Sequence, residues 1–520
     1  MPTLYRNGRV RTPAARDATA LLVDGGVIKW VGQEAAAAEQ VGADVVDLDG
    51  ALVTAAFVDA HVHATSTGLA LTGLDLRAAG SLAEALAALD KSARAARGRP
   101  ILGSGWDETR WPEQRPPTAA ELDRASYGGA VYLARVDVHS AVASSSLMAA
   151  VPRLRDLTGY RADGWQRGPA HDAVRDAAQG ALSAGQRRDA QRAALRAAAA
   201  LGIACVHEMA GPVISSADDL LGLLALSADE PVPEVIGYWG ELRGIDTARE
   251  LGAVGAGGDL FCDGSLGSHT AALHEPYADR PDSSGLLRFD TAEVAEHIAL
   301  CAAAELQAGF HAIGDAAVDQ VLDAVDLVSE RRGRPAGVGH RIEHAEFVRD
   351  PARLAASGLT ASMQPVFDTL WGGPDGMYAA RLGAARARRL NRFADLDAAG
   401  VPFVFGSDAP VTELGPWAAV RAAAYPSDPA AAITPQAAFT AHTEAGGRAA
   451  GRDGEGVLVP GRPATFAVWR AGEPVADTGQ PAADAAVSGL PDIAPGRELP
   501  TCLATVRSGR PIFDAGLLSA

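Results

Sequence analysis

Asp59-Ala60-His61-Val62-His63 follows Ala51-Leu52-Val53-Thr54-Ala55-Ala56-Phe57-Val58, an almost unbroken apolar run. Such a run fits a strand buried on both faces, as in a parallel sheet or barrel. Side chains alternate along a strand, so Asp59, His61 and His63 are expected on one face. Two neutral imidazoles two residues apart can then grip one metal ion. They stand at the strand's C-terminal end, where barrel enzymes keep their chemistry.

Downstream of this segment, apolar runs alternate with Ala-rich helical stretches, the rhythm of a parallel α/β domain. Leu52–Val62, Ile203–Glu208, Val235–Trp239, Asp259–Asp263, Gly309–Ile313, His340–His344, Leu359–Gln364 and Val401–Asp408 supply the strands of a (β/α)8 TIM-type barrel. Ile101–Trp106 and Val131–Asp137 are left out of that set. They fall in an insertion after the first strand, residues 75–185 or so, and a connection of that length must carry structure of its own. Gly252–Gly258 reads as loop.

Short β-type runs also occur at both ends of the chain. Ala20–Val23 and Val27–Val31 flank the hairpin signal Asp24-Gly25-Gly26, and Gly456–Trp469 and Thr501–Ile512 carry Gly-Arg-Pro turns. Neither end is large enough to fold alone, so the two are expected to build one small β-sandwich-like domain. The expected organisation is 1–52 with 455–520 as that domain and 53–454 as the barrel. Ala471–Pro500, rich in Pro, Ala, Gly and Asp, reads as irregular loop.

With 520 residues, 48% of them hydrophobic, the chain can bury at least one large core. Its 46 Lys and Arg stand against 64 Asp and Glu, a formal charge of -18, which disfavours electrostatic capture of nucleic acid or an anionic membrane. A small neutral or cationic substrate suits this balance better. The four cysteines form no CxxC pair, which favours buried thiols in a reducing compartment. No apolar leader or bilayer-length run is present, so a soluble cytoplasmic protein is expected. The sequence leaves a homodimer open.

Four of the strand-like runs end in groups that hold metals or move protons: His61 and His63, His311, His344 and Asp408. A lone strand-end histidine is commonly structural, and Ser407-Asp408 can equally cap a helix. Groups on the first, fifth, sixth and eighth strands should nevertheless converge at one rim. Nitrogen donors with a carboxylate suit Zn2+, with Fe, Mn or Co acceptable in the same geometry. Water bound to such an ion has a pKa near about 7 and becomes a nucleophile at neutral pH.

The chain resembles the amidohydrolase superfamily, and within it the amidohydrolase family 3 branch that includes N-substituted formamide deformylases. The likeness rests on Phe57-Val58-Asp59-Ala60-His61-Val62-His63, Asp263-Gly264-Ser265-Leu266-Gly267-Ser268-His269-Thr270 and His311-Ala312-Ile313-Gly314-Asp315. It continues in Arg341-Ile342-Glu343-His344-Ala345-Glu346, Gln364-Pro365, Gly406-Ser407-Asp408-Ala409-Pro410-Val411 and Gly456-Val457-Leu458-Val459-Pro460-Gly461. The resemblance implies that His61, His63 and Asp408 bind the more buried metal and that His311 and His344 bind a metal or the substrate. It also implies that Asp408 takes the proton from the attacking water and delivers it to the leaving amine.

One departure matters. Many relatives have a carboxylated lysine bridging two metals four residues before Asp263, where this chain has Asp259. Aspartate is several bonds shorter and is not expected to span two ions from that position. A single ion held by His61, His63, His311 and Asp408 is therefore favoured, with His344 polarising the scissile carbonyl or standing near the metal. Two ions are the alternative if Asp259, Glu208 or Asp263 supplies a bridge.

Trp106, Asp107, Trp111, Asp137, His139 and Ser140 are candidates for a lid that lines the substrate pocket, and the tryptophans serve equally well as the insertion's own core. The resemblance favours Trp106, Asp107 and His139. Ser265, His269, Thr270 and Gln364 are further substrate-binding candidates at strand ends. Glu343 alternates away from His344 and is assigned to packing or to a bond behind the ligands. Of His207 and Glu208, one faces inward. Cys262 reads as a buried thiol.

The expected activity is metal-dependent hydrolysis of a non-peptide carbon–nitrogen bond, in an amide or an N-acyl or N-formyl amine. Alternatives are an ester hydrolase or a deaminase on the same scaffold, or an inactive relative that keeps its metal. No GxxxxGK[ST] or strand-linked GxGxxG element supports a nucleotide site.

Overall fold

The computed structural model describes residues 2–37, 42–135, 140–333, 335–337, 339–472 and 489–518. They divide into two units, Met1–His63 with Leu195–Ala520, and Ala64–Ala194.

The larger unit holds eight parallel barrel strands. They are β1 (Phe57–Val62), β2 (Ile203–Ala210), β3 (Glu234–Trp239), β4 (Gly255–Ala256), β5 (Gln307–Ala312), β6 (Arg341–His344), β7 (Thr360–Met363) and β8 (Phe403–Phe405), adjacent in that order. A parallel bridge between Val62 and Ala409 closes the ring, with Asp408 N donating to His61 O at 2.8 Å and His63 N to Ala409 O at 3.0 Å. The (β/α)8 barrel read from the sequence is therefore present, and closure itself brings His61 and His63 beside Asp408.

Two strands differ from their expected extents. The run Leu52–Val62 is divided: Leu52–Ala55 pairs antiparallel with Phe466–Arg470 in a different sheet, and only Phe57–Val62 enters the barrel. β4 lies at Gly255–Ala256, inside the glycine-rich segment expected to be loop, and Asp259–Asp263 follows it as irregular backbone. Close approach explains this: a Cβ on Gly257 would lie 2.1 Å from Gly309 N, so only glycine lets this chain pass β5. Gly258 then turns with φ +92 and takes the backbone off the strand path just before Asp259.

The chain ends build two further sheets in the same unit. One contains Val27–Gly32, Ala20–Asp24, Thr3–Arg6 and Asp44–Asp47; the other contains Arg9–Val10, Leu52–Ala55, Phe466–Arg470, Thr501–Arg507 and Arg510–Asp514. Gly25 and Gly26, with φ of 58 and 77, make the hairpin turn that the Asp-Gly-Gly signal predicts. Tyr5, Leu21, Val23, Ile28, Val53, Phe466, Val468 and Val506 meet in one buried cluster, joining the two sheets in a sandwich arrangement. Most of the expected 471–500 loop, residues 473–488, lies outside the described residues.

The Ala64–Ala194 unit has its own five-stranded sheet, made of Leu74–Asp75, Ile101–Trp106, Val131–Arg135, Ser140–Ala143 and Trp165–Arg167. The two runs left out of the barrel are thus strands of the insertion. Among the described residues, no helix is long and apolar enough to cross a membrane.

Candidate metal centre

His61 and His63 leave the end of β1, His311 lies near the end of β5, His344 ends β6 and Asp408 follows β8. Their shared focus is Asp259. Its Oδ2 lies 3.4 Å from His61 Nε2 and 3.2 Å from His63 Nε2, while its Oδ1 lies 3.5 Å from His311 Nδ1 and 3.3 Å from His344 Nε2. Asp408 Oδ1 stands 3.1 Å from His63 Nε2 and 3.6 Å from His61 Nε2.

The four imidazoles are oriented by what their other nitrogens bind. Nδ1–H of His63 donates to Met209 O at 3.0 Å, Nδ1–H of His344 to Gln364 Oε1 at 2.8 Å, and Nε2–H of His311 to Gly264 O at 3.2 Å. His61 Nδ1 lies 3.0 Å from Glu343 Oε2. These acceptors select the tautomers that turn His61 Nε2, His63 Nε2, His311 Nδ1 and His344 Nε2 toward Asp259 as lone pairs. His61 Nε2, His311 Nδ1 and Asp408 Oδ1 are buried with no hydrogen-bond partner. Buried imidazole nitrogens facing carboxylates are matched either by a proton, as in the metal-free protein, or by a metal cation that displaces it.

His61, His63 and Asp259 offer ligand atoms within 4.8 Å of one another, as do His61, His344 and Asp408, and Asp259, His311 and His344. Nitrogen and carboxylate donors in these numbers fit a divalent transition metal. The backbone is bent to achieve this: His344 has φ 68, Ala345 φ 45 and Asp408 φ 54, in the left-handed region that costs energy for such residues. Burial opposes charge on both partners and is overcome. Burial would lower the His61 pKa, yet Asp259 and Glu343 hold it up at about 10, and the surrounding imidazoles keep the Asp259 carboxyl well below the usual range.

Of the two arrangements left open at Asp259, the geometry favours the bridging one, because its two oxygens each face a different histidine pair. The reach comes from the main chain, since the turn at Gly257-Gly258 carries Asp259 off the strand path. The other candidate bridge, Asp263, is committed elsewhere and accepts from Ile313 N, Gly314 N and Ala272 N at 3.1, 2.8 and 2.9 Å. Glu208 is buried and belongs to none of the donor groups above. Asp59 also stays out of them, accepting from Ser407 N at 2.8 Å and so tying β1 to the residue before Asp408. His207 is inside the barrel, its Nδ1 accepting from Arg341 at 2.9 Å.

The substrate candidates are distributed as follows. Gln364 holds His344 through Oε1, and its buried Nε2 has no partner. Ser265 Oγ lies 2.8 Å from Ser268 Oγ, and His269 Nε2 lies 3.0 Å from Asp279 Oδ1, both in the loop after Asp263. Trp106 is fully buried in the insertion's own core beside Trp111 and Trp165, its indole donating to Leu133 O at 2.8 Å. Asp107 caps a short 3-10 helix and pairs with Arg135. Asp137 and His139 lie outside the described residues. Cys262 is fully buried and burial raises its thiol pKa, as expected of an inert thiol.

The model of the amidohydrolase family matches residues 44–513. This chain belongs to the amidohydrolase family. Among its relatives, Protein LONG AFTER FAR-RED 3 of Arabidopsis thaliana is 28% identical over 464 residues, covering 81% of this amidohydrolase and 78% of that protein. N-substituted formamide deformylase of Arthrobacter pascens is 32% identical over 149 residues, 27% of this chain and 28% of the other. The crystal structure of an uncharacterized metal-dependent hydrolase from Pyrococcus furiosus superposes with a TM-score of 0.76 at 27% identity, covering 90% of this chain and 98% of that one.

Proposed function

We propose that this amidohydrolase hydrolyses a non-peptide carbon–nitrogen bond, in an amide or an N-acyl or N-formyl amine, at a zinc centre that His61, His63 and Asp408 would hold on one side and His311 and His344 on the other, with Asp259 between them. The observation that carries the reading is the position of Asp408 Oδ1: buried, without a hydrogen-bond partner, and against the nitrogens of His61 and His63. A carboxylate so placed reaches both a ligand set and whatever water lies on it.

A bound divalent ion supplies an acidified water and a positive pole for a carbonyl oxygen. The chain's own groups do the rest. The Asp408 carboxylate would receive the water proton and return it to the departing nitrogen, acting as base and then as acid. His344, fixed by Gln364, and His311, fixed by Gly264, are the residues that would hold the metal on the second side of the centre. The unpartnered Gln364 Nε2 is a donor in the same region. The local similarity to a formamide deformylase supports an N-acyl or N-formyl amine as the substrate class.

The test is turnover of formanilide-like, N-acyl and ester probes by metal-loaded protein beside a chelated control. Hydrolysis of the amide probes that disappears with chelation supports the reading. Turnover of esters alone would reassign the bond, and no turnover by fully loaded protein would leave a metal-retaining protein without this activity.

A further inference from the structure

The barrel interior beneath the centre contains a charged pair that no step of the reaction uses. Arg341 and Glu343, alternate residues of β6, are 1% and 0% exposed. The guanidinium grips the carboxylate with both arms, Nε to Oε1 at 2.7 Å and Nη2 to Oε2 at 3.0 Å. Its remaining donors reach His207 Nδ1 at 2.9 Å and Ala60 O at 2.8 Å, and it stacks 4.7 Å from the Tyr238 ring centre. Alternation points both side chains inward, and the left-handed turn at His344 lets that residue face the centre as well, so Glu343 and His344 are not on opposite sides.

A pair this deep is poor value as a fold stabiliser, since packed apolar side chains of similar volume commonly do as well. Its contacts point to another use. Glu343 Oε2 is shared between Arg341 and Nδ1 of His61, and Arg341 also holds Ala60, the residue before His61. His63 and His344 bond to neutral oxygens, those of Met209 and Gln364, and His311 Nε2 bonds to Gly264 O at 3.2 Å with the Asp263 carboxylate farther off at 3.6 Å. His61, within reach of both Asp259 and Asp408, is backed by a carboxylate.

We propose that Glu343, anchored by Arg341, is a positioning residue that fixes His61 with Nδ1 protonated and makes its Nε2 a stronger metal donor than the other three imidazoles. A carboxylate behind an imidazole sets the ring's tautomer and orientation and raises its basicity. Arg341 keeps that carboxylate ionised and in place, and without the arginine Glu343 is free to turn from the ring. The proposal rests on the metal centre described above.

Two loss variants and one rescue variant test it, with Co2+ as the probe metal. Glu343→Gln leaves Arg341 buried without its counter-charge and is at risk of misfolding; Arg341→Met with Glu343→Gln removes the charge of both partners together. In the folded double variant, Co2+ affinity measured by chelator competition is expected to fall by about 10–100-fold, the range typical of such outer partners. The visible Co2+ absorption should shift in position or intensity, and Glu343→Asp, which retains the carboxylate and Arg341, should recover part of both. Unchanged affinity and spectrum in the double variant would overturn the proposal, as would loss of folding in both variants, which would make the pair a requirement of the fold. If the wild-type protein itself binds no Co2+, the metal-centre reading fails first, and the two failures are thereby distinguished.

Discussion

Asp408 Oδ1 lies 3.1 Å from Nε2 of His63 across the seam where the barrel closes. That proximity depends on the strand ends meeting, with Asp408 N bonded to His61 O. Asp408→Asn keeps the side-chain volume and removes the proton acceptor. Amide turnover should fall by about 10²–10⁴-fold, the usual contribution of a placed acid–base group. Circular dichroism and thermal midpoint should remain near wild type, since no core volume is lost. Near-normal turnover in this variant would remove Asp408 from proton transfer.

Asp259→Asn tests the bridge separately. An amide has one good acceptor where the carboxylate has two, so one histidine pair loses its shared oxygen. Metal content measured by elemental analysis should drop by at least one ion per chain. A variant that retains the full wild-type complement would show that His61, His63, His311, His344 and Asp408 hold the metal without it.

The protonation of His61 gives a pH signature with opposite signs for the metal-free and loaded protein. Its folded-state pKa is raised to about 10, so in the metal-free protein its contribution is complete below the unfolded value of 6.5 and is lost as pH rises toward 10. Metal-free protein should therefore lose stability with rising pH over that window. Metal must displace the same proton, so apparent affinity should rise with pH, and calorimetry at neutral pH in buffers of different ionisation enthalpy should show net proton release. No proton release on binding would contradict this account of the ligand nitrogens.

Gly257→Ala probes the approach of β4 to β5. The added methyl would lie 2.1 Å from Gly309 N and 2.8 Å from Gly309 O, backbone atoms that cannot swing aside. A destabilisation of about 1–3 kcal/mol is expected, as for overpacked interiors. Because Asp259 follows two residues later, metal affinity should weaken in parallel. Wild-type stability in urea titration would show that the two strands have slack.

The eight-strand barrel and its rim of candidate ligands were legible because His61, His63, His311 and Asp408 stand at the ends of apolar runs, a pattern periodicity detects, while His344 closes the mixed run His340–His344. β4 was not legible in its true place. Gly255–Ala256 carries no apolar signal, and its strand character comes from Tyr238 and Gln307 on either side. For the same reason the position of Asp259 between the histidine pairs was not legible, since side-chain length can be read from sequence and the path of the main chain through a tight glycine contact cannot. Glu343 was sorted by alternation, but the rule breaks at His344, whose positive φ is set by tertiary structure. The insertion was recognised by length, and its tryptophans read both as lid and as core; Trp106 is in fact buried among its own neighbours.

Anomalous diffraction at the zinc absorption edge, from crystals of protein prepared with zinc, addresses the centre itself. Two peaks flanking the Asp259 carboxylate are predicted, one beside His61, His63 and Asp408 and one beside His311 and His344. Zinc located elsewhere, with these side chains bonded only to one another, would contradict the account.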